Sequence, residues 1–184
     1  MKLHAVRSAS LALVVLAIAA CGTAASSAAP PSAPPNTFEE FSTQFCGSFT
    51  SLFRAVGNPD ANTPSVMSKA LDDAVKAGDA PAADRAAAAM MTELESARVE
   101  AAAAARWQPT AAIMVQMDRL VVAYEAMTTA KQARAHTPGS PDPQKAFEQA
   151  GGLEAWAGVV KGVGSMPVPS GSSAQACKAF SGAN

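Results

Sequence analysis

Apolar residues recur at three- and four-residue steps from about residue 37 onward, a spacing that places side chains on one face of an α-helix. The clearest case is a predicted first helix that begins near Thr37 or Phe38 and holds five of the seven phenylalanines. We interpret this aromatic face as the core-forming surface, although a ligand wall or a docking face has the same pattern. Its apolar positions are Phe38, Phe41, Phe45, Phe49, Leu52, Phe53 and Val56.

Start and stop signals divide the rest of the chain into further helices. An oxygen-bearing cap residue followed by proline, typical of a helix start, occurs at Thr63-Pro64, Asp79-Ala80-Pro81 and Asp142-Pro143. Gly78 ends the second helix, and Pro109 disfavours helix at the residue before it. The predicted helices cover about 64–77, 80–105, 109–135 and 143–161. The last of them contains Gly151-Gly152, which predicts a kink or a division into two.

These elements predict an all-α fold, a compact antiparallel bundle of four to five helices over residues 37–184. The sequence is rich in alanine, which has the highest helix propensity, and aromatic residues make up only 5%. The third and fourth helices would be about 37 and 40 Å long and form an antiparallel hairpin. Residues 162–173 are expected to form a turn-rich strap, and residues 174–180 a short helix.

The N-terminal twenty residues have the order of an export signal. Lys2 and Arg7 precede an uncharged apolar run from Leu11 to Ala20. This run is too short for a membrane span, which takes about 20 apolar residues. The run ends in Ile18-Ala19-Ala20-Cys21, which resembles the lipobox of bacterial lipoproteins, and the alanine-rich composition suggests a high-GC Gram-positive source. The resemblance implies that Cys21 receives diacylglycerol, whose two chains anchor firmly where one is marginal. Secretion after an Ala-x-Ala-like cut is the alternative.

A linker follows the cysteine. Residues 22–36 are small, uncharged and rich in proline, with no apolar periodicity. Such a segment spans about 20 Å as a flexible coil and about 45 Å as polyproline. We therefore divide the chain into a signal peptide (1–20), a lipidated cysteine with its flexible linker (21–36) and the helical domain (37–184). The protein is expected at the cell membrane, on the extracytoplasmic face.

Charge excludes one class of partner. The net charge is −1 over the whole chain, and removing the two basic residues of the signal makes the remainder −3. Because no basic patch is present, nucleic acid is not an expected partner. The expected partners are the membrane, through the lipid on Cys21, and an envelope protein or wall component.

Two cysteines remain once Cys21 is assigned to the lipid. In an oxidising compartment Cys46 and Cys177 would most simply pair. The bridge would close a loop of about 130 residues, which the chain-entropy model values at about 5 kcal/mol. Two buried free thiols are the alternative. A metal or redox site is less favoured because neither cysteine belongs to a CxxC motif and no histidine is near either one in sequence.

No catalytic, cofactor-binding or metal-binding residues are predicted. His4 belongs to the signal and His136 stands alone beside a loop, so a His-based zinc site has too few histidines. A serine triad could use only His136, and no GxSxG motif supplies its nucleophile. Asp72 and Asp73 would point about 100° apart on a helix and are expected to be solvated. Five methionines were expected to gather between the third and fourth helices, where they could bind Cu(I) with His136 but more simply fill the core. They are Met90, Met91, Met114, Met117 and Met127.

Two classes of function fit these expectations. The first is a non-catalytic binding or scaffolding lipoprotein of the cell envelope. The second is a carrier of a small apolar ligand or haem between the helices. An exposed apolar patch would favour the first class and a closed cavity of a few hundred Å³ the second. We favour the first, because alanine-rich helices approach closely and leave little internal volume.

We predict that Cys21→Ala releases the protein from the membrane, since the substitution removes the acceptor of both acyl chains. Phase partitioning of fractionated cells in detergent measures this, with the wild type as the control. If the Cys21→Ala chain stays in the detergent phase as firmly as wild type, the lipobox interpretation is wrong.

Overall fold

The computed structural model describes residues 38–58, 63–107 and 111–166, which form six α-helices and one short pair of strands. The predicted all-α bundle is confirmed, while the predicted signal peptide and linker lie outside the described residues. In the described part no helix has both the length and the hydropathy to cross a membrane. The elements are α1 (Phe38–Val56), β1 (Gly57–Asn58), β2 (Thr63–Pro64), α2 (Val66–Ala77), α3 (Ala80–Ala104), α4 (Ala111–His136), α5 (Pro143–Gln149) and α6 (Gly152–Gly164).

The most extensive helix contact joins α1 to α3. Successive phenylalanine rings of α1 lie 5.4 Å (Phe41 to Phe45) and 5.0 Å (Phe45 to Phe49) apart, and Trp107 packs 4.6 Å from the Phe41 ring. The side of α3 in the same apolar cluster is mostly alanine, so its backbone can lie close to these rings. The α3 members of the cluster are Leu94, Ala97, Ala101 and Ala104.

A second apolar cluster lies between α2 and the first half of α3. Leu71 of α2 and Met90 of α3 are fully buried at its centre. Helix α2 ends at Gly78, whose left-handed backbone (φ 67°) closes the turn into α3. Helix α2 therefore covers the first half of α3, whereas α1 covers the second half.

Helices α3 and α4 form the expected antiparallel hairpin. Arg98 near the end of α3 donates to Asp118 near the start of α4 at 3.1 Å, and His136 at the end of α4 lies 2.8 Å from Asp84 near the start of α3. The hydrogen bond that Arg98 donates to Asp118, and the negative charges of Asp118, Glu125 and Glu95, raise the pKa of the Arg98 guanidinium. These pairs therefore fix the register of the hairpin at both ends.

The predicted start of α2 at Thr63-Pro64 is wrong. These two residues form β2, which pairs antiparallel with β1 (Gly57–Asn58), and Ser65 caps α2 instead. The Ser65 hydroxyl accepts from the Ser68 N–H and donates to the Ala55 carbonyl at 2.6 Å, joining α2 to the end of α1. Gly57 is required here, because its φ is +98° and an added Cβ would lie 2.1 Å from the Thr63 carbonyl oxygen.

The other two cap-and-proline signals are confirmed. Asp79 caps α3 by accepting from the Ala82 N–H, and Asp142 caps α5 by accepting from the Gln144 and Lys145 N–H groups. The double glycine divides the predicted fifth helix, because Gly151 adopts a left-handed conformation (φ 78°) and α6 begins immediately after it. The bundle therefore has one more helix than the upper count expected.

Helix α6 packs on α4 through its glycines. A Cβ added at Gly158 would lie 2.8 Å from Gln116 Cγ, and one at Gly162 would lie 2.6 Å from Ile113 Cγ1. The expectation that a strap begins at residue 162 is therefore wrong at its start, since α6 continues to Gly164. The glycines permit a close helix contact; they do not form a turn here. The rest of the expected strap and the short helix after it, from residue 167 onward, lie outside the described residues.

We predict that Gly162→Ala destabilises the fold. The added methyl meets the first side-chain carbons of Ile113, a stiff β-branched residue, and overpacking of this kind costs about 1–3 kcal/mol against a gain of about 1 kcal/mol in helix propensity. Chemical denaturation measures the difference. Gly164→Ala is the matched control because nothing lies within 4 Å of its added Cβ. Equal stability of the two variants would contradict the close contact.

We also predict an acid-dependent role for Asp142. The backbone N–H groups of Lys145 and Gln144, together with Arg134, lower the pKa of Asp142. Because the folded-state pKa is lower than the unfolded-state pKa, the ionised Asp142 stabilises the fold. This stabilisation is complete above the ordinary pKa of 3.8 and is lost as the pH falls through the lowered, folded-state pKa. Asparagine also caps helices, so Asp142→Asn isolates the charge. Wild type should melt higher than this variant at about pH 6, and the difference should vanish in acid. A difference that does not change with pH would contradict this account.

Candidate binding surfaces

An open groove runs between α2, α4 and the start of α5. Its volume is about 420 Å³, and both charged and apolar side chains line it. Positions at four-residue steps on α2 and α4 face each other across it, which is why residues far apart in sequence meet here. The lining residues are Asp72, Val75, Lys76, Met127, Lys131, Arg134, Asp142, Pro143 and Gln144.

Two ion pairs cross this groove, which we call the charged groove. The Lys131 ammonium lies 2.7 Å from Asp72 Oδ1, and Arg134 Nη2 lies 3.2 Å from Asp142 Oδ2. Lys131 is the more enclosed cation, with only 16% of its side chain exposed. Lys76 is exposed at the rim and makes no ion pair within the described residues. Cationic groups therefore outnumber carboxylates in the lining.

The charged groove continues toward the strand pair. A second open pocket of about 340 Å³ shares Asp72 and Met127 with it and adds Tyr124 from α4. Its far wall is the short connection after α1, formed by Val56, Gly57, Asn58, Thr63 and Pro64. One end of the combined surface is thus cationic, while the other is lined by apolar and backbone groups.

A different kind of surface lies on the outer side of α6. Leu153 and Val160 are 55% and 53% exposed, and Val163 is 42% exposed. The three residues and the half-buried Trp156 recur at three- and four-residue steps, so they form one stripe, which we call the α6 stripe. Only Glu154 and Lys161 carry charge in this helix. The periodicity in the sequence predicted an apolar helix but not that half of its apolar residues face outward.

His136 has a partner that the sequence did not indicate. Its Nε2 atom lies 2.8 Å from Asp84 Oδ1, which also accepts from Gln132 Nε2 at 2.8 Å. Hydrogen bonds from His136 and Gln132 lower the pKa of the Asp84 carboxyl. This cluster ties the end of α4 to the start of α3, and the Asp84 carboxylate oxygen is fully engaged by these two donors.

The five methionines do not gather in one place, but the core-filling role favoured for them is confirmed for Met90, Met114 and Met117, which are buried. Met90 is buried in the α2–α3 cluster, whereas Met114 and Met117 are buried in the main cluster with α1. Met91 is 37% exposed, and Met127 lines the charged groove. Because α3 and α4 are antiparallel, residues near the start of each helix lie at opposite ends of the hairpin. The thioethers therefore do not converge with His136.

Two acidic residues, Asp72 and Glu100, have partners on neighbouring helices, although Asp72 was expected to be solvated. Asp72 pairs with Lys131 across the α2–α4 contact, and Glu100 of α3 accepts from the Ser51 hydroxyl of α1 at 3.1 Å. An added Cβ at Gly47 would lie 3.0 Å from the Glu100 carboxyl carbon, so this carboxylate rests directly on the α1 backbone. These partners could not be predicted from the sequence, because each pair joins residues on two different helices.

Of the three cysteines named in the lipidation and disulfide predictions, Cys46 is the one that lies among the described residues. This residue is buried on α1 and is disulfide-bonded. The other two cysteines, Cys21 and Cys177, lie outside the described residues, so the pairing of Cys46 with Cys177 and the lipidation of Cys21 stay predictions. Among the described residues, no three His, Cys, Asp or Glu side chains come together in a metal-binding arrangement.

Comparison with known proteins adds no relative from which a role could be transferred. The chain matches no protein-family model, no curated protein sequence and no solved structure. Any function must therefore be argued from its own residues. The surfaces that carry such an argument are the charged groove and the α6 stripe.

Proposed function

We propose that the protein is a lipid-anchored, extracytoplasmic binding or scaffolding protein of the cell envelope without catalytic activity. Its lipid would attach at Cys21, and the helical domain would present the α6 stripe to an envelope protein or wall component. The observation that carries the proposal is the exposure of Leu153, Val160 and Val163 together on one side of a nearly uncharged helix.

The α6 stripe supports a binding role because contiguous exposed apolar surface is costly in water. Isolated exposed apolar residues are normal, whereas a contiguous group more often marks an interaction site. Val99 of α3 is also 61% exposed, but its neighbours on that surface are charged groups such as Glu95 and Arg98. The stripe combines three such residues with the edge of an indole ring, a side chain enriched in interfaces.

The internal packing supports a protein that binds at its surface. The α1–α3 and α4–α6 contacts are close, since alanine and glycine form one side of each. The charged groove and the pocket beside it, both lined by described residues, are open and contain charged side chains. Such linings suit a polar ligand better than an apolar ligand or haem, which makes the carrier the second choice.

Site-specific photocrosslinking in intact cells tests the proposed interface. A photoreactive phenylalanine analogue at position 160 would lie within the α6 stripe, and the same analogue at position 99 on α3 is the matched control because Val99 is equally exposed. We expect a discrete adduct from position 160 and none from position 99. The mass of the adduct then distinguishes a protein partner from a wall component.

Two results would contradict the proposal. The absence of an adduct at position 160 would show that the stripe is not occupied in the cell. Adducts of equal yield from positions 160 and 99 would show non-specific encounter. The photoreactive analogue should leave the helical core unchanged at either position, because neither Val160 nor Val99 is buried.

A further inference from the structure

We propose that the charged groove between α2, α4 and α5 binds the phosphate group of a phosphate ester. Three cationic side chains from two helices, Lys76, Lys131 and Arg134, line one open cavity of about 420 Å³. The site is separate from the α6 stripe and does not depend on the function proposed for it.

The cations are placed to act together. Lys131 and Arg134 lie three residues apart on α4, hence on the same side of the helix, and Lys76 faces them from α2. The two carboxylates of the groove take up only part of their donors. Arg134 is engaged by Asp142 through a single nitrogen at 3.2 Å, and a guanidinium has five N–H donors. The remaining donors and the Lys76 ammonium are available to an anion in the groove.

The Lys131–Asp72 pair is difficult to explain by stability alone. Removing a lysine ammonium from water is costly, and a partly enclosed ion pair is often no more stabilising than apolar side chains of similar size. The surrounding helices are rich in apolar residues that could have occupied this position. Asp72 instead lies 2.7 Å from the enclosed Lys131 ammonium, at the wall of an open cavity. An enclosed cation that faces an exposed one, Lys76, is an arrangement that suits anion binding.

Phosphate fits this arrangement better than a smaller anion. The planar guanidinium of Arg134 can make two parallel hydrogen bonds to phosphate oxygens, and the ammonium groups of Lys76 and Lys131 add positive charge to the same cavity. The esterified carbon group would lie against Val75, Met127 and Pro143, the apolar part of the lining. A phospholipid headgroup and a soluble phosphate ester share this chemistry.

The test uses the full-length chain carrying Cys21→Ala, so that membrane binding cannot arise from the lipid anchor. Calorimetric titration with glycerol 3-phosphate at low ionic strength measures binding of a soluble ester. Sedimentation with vesicles of phosphatidylglycerol, against vesicles of phosphatidylcholine, measures binding of a lipid headgroup. Affinity for the bound probe should fall as salt is added, because the charges lie in a groove open to solvent.

Two variants test whether the groove is the site. Lys76→Glu reverses an exposed charge that has no ion-pair partner among the described residues, and Arg134→Gln leaves the backbone hydrogen bonds of Asp142 in place. Each should weaken binding about fivefold or more, as expected when one nearby positive charge is removed (Arg134→Gln) or reversed (Lys76→Glu) at a partly screened site. Lys161→Glu on α6 makes the same charge change as Lys76→Glu away from the groove and should bind like the parent. Melting curves identify any variant that fails to fold.

Each outcome decides the proposal. Glycerol 3-phosphate binding that is weakened by both groove variants and not by Lys161→Glu supports a soluble ester as the ligand. Binding only to phosphatidylglycerol vesicles, with the same pattern among variants, supports a lipid headgroup. The proposal is overturned if neither probe binds, or if Lys161→Glu weakens binding as much as Lys76→Glu does.

Discussion

The close contact between α1 and α3 is the constraint on which the rest of the fold depends. A row of phenylalanine rings can be buried there because the facing side of α3 is made mainly of alanine. Large side chains on one helix and methyl groups on the other bring the two backbones close, as Gly47 against Glu100 shows. With α3 committed to α1 on one side, α2 and α4 must cover its other sides, and α6 can reach the core only by packing on α4.

The two candidate surfaces are consequences of this order. Helix α2 is short and covers only part of α3 and α4, so the charged groove opens where α2 meets α4 and α5. Helix α6 packs mainly on α4, and its opposite side carries the exposed residues of the α6 stripe. Both surfaces therefore arise at the edges of the bundle, away from the tightly packed α1–α3 centre.

The helical fold could be predicted from the sequence because its signals are local. The phenylalanine periodicity of α1, the Asp79 and Asp142 caps and the break after Gly151 depend on neighbours within a few residues. The start of α2 was misplaced because Thr63 and Ser65 are both good cap residues, and pairing of the strands, a tertiary contact, selected Ser65. The charged groove was not predicted at all, since Asp72 and Lys131 meet only after two helices have packed.

The topology of α1 also bears on the order in which contacts can form. Helices α3 and α4 follow each other directly and can pair from a short connection, whereas Ser51 of α1 meets Glu100 of α3 across a separation of 49 residues. Closing a longer loop costs more chain entropy and slows the formation of the contacts that depend on it. During synthesis α1 is complete before α3 exists, so its phenylalanine side must stay uncovered until nearly fifty further residues have been made. The phenylalanine side of α1 is thus made well before the helix that covers it.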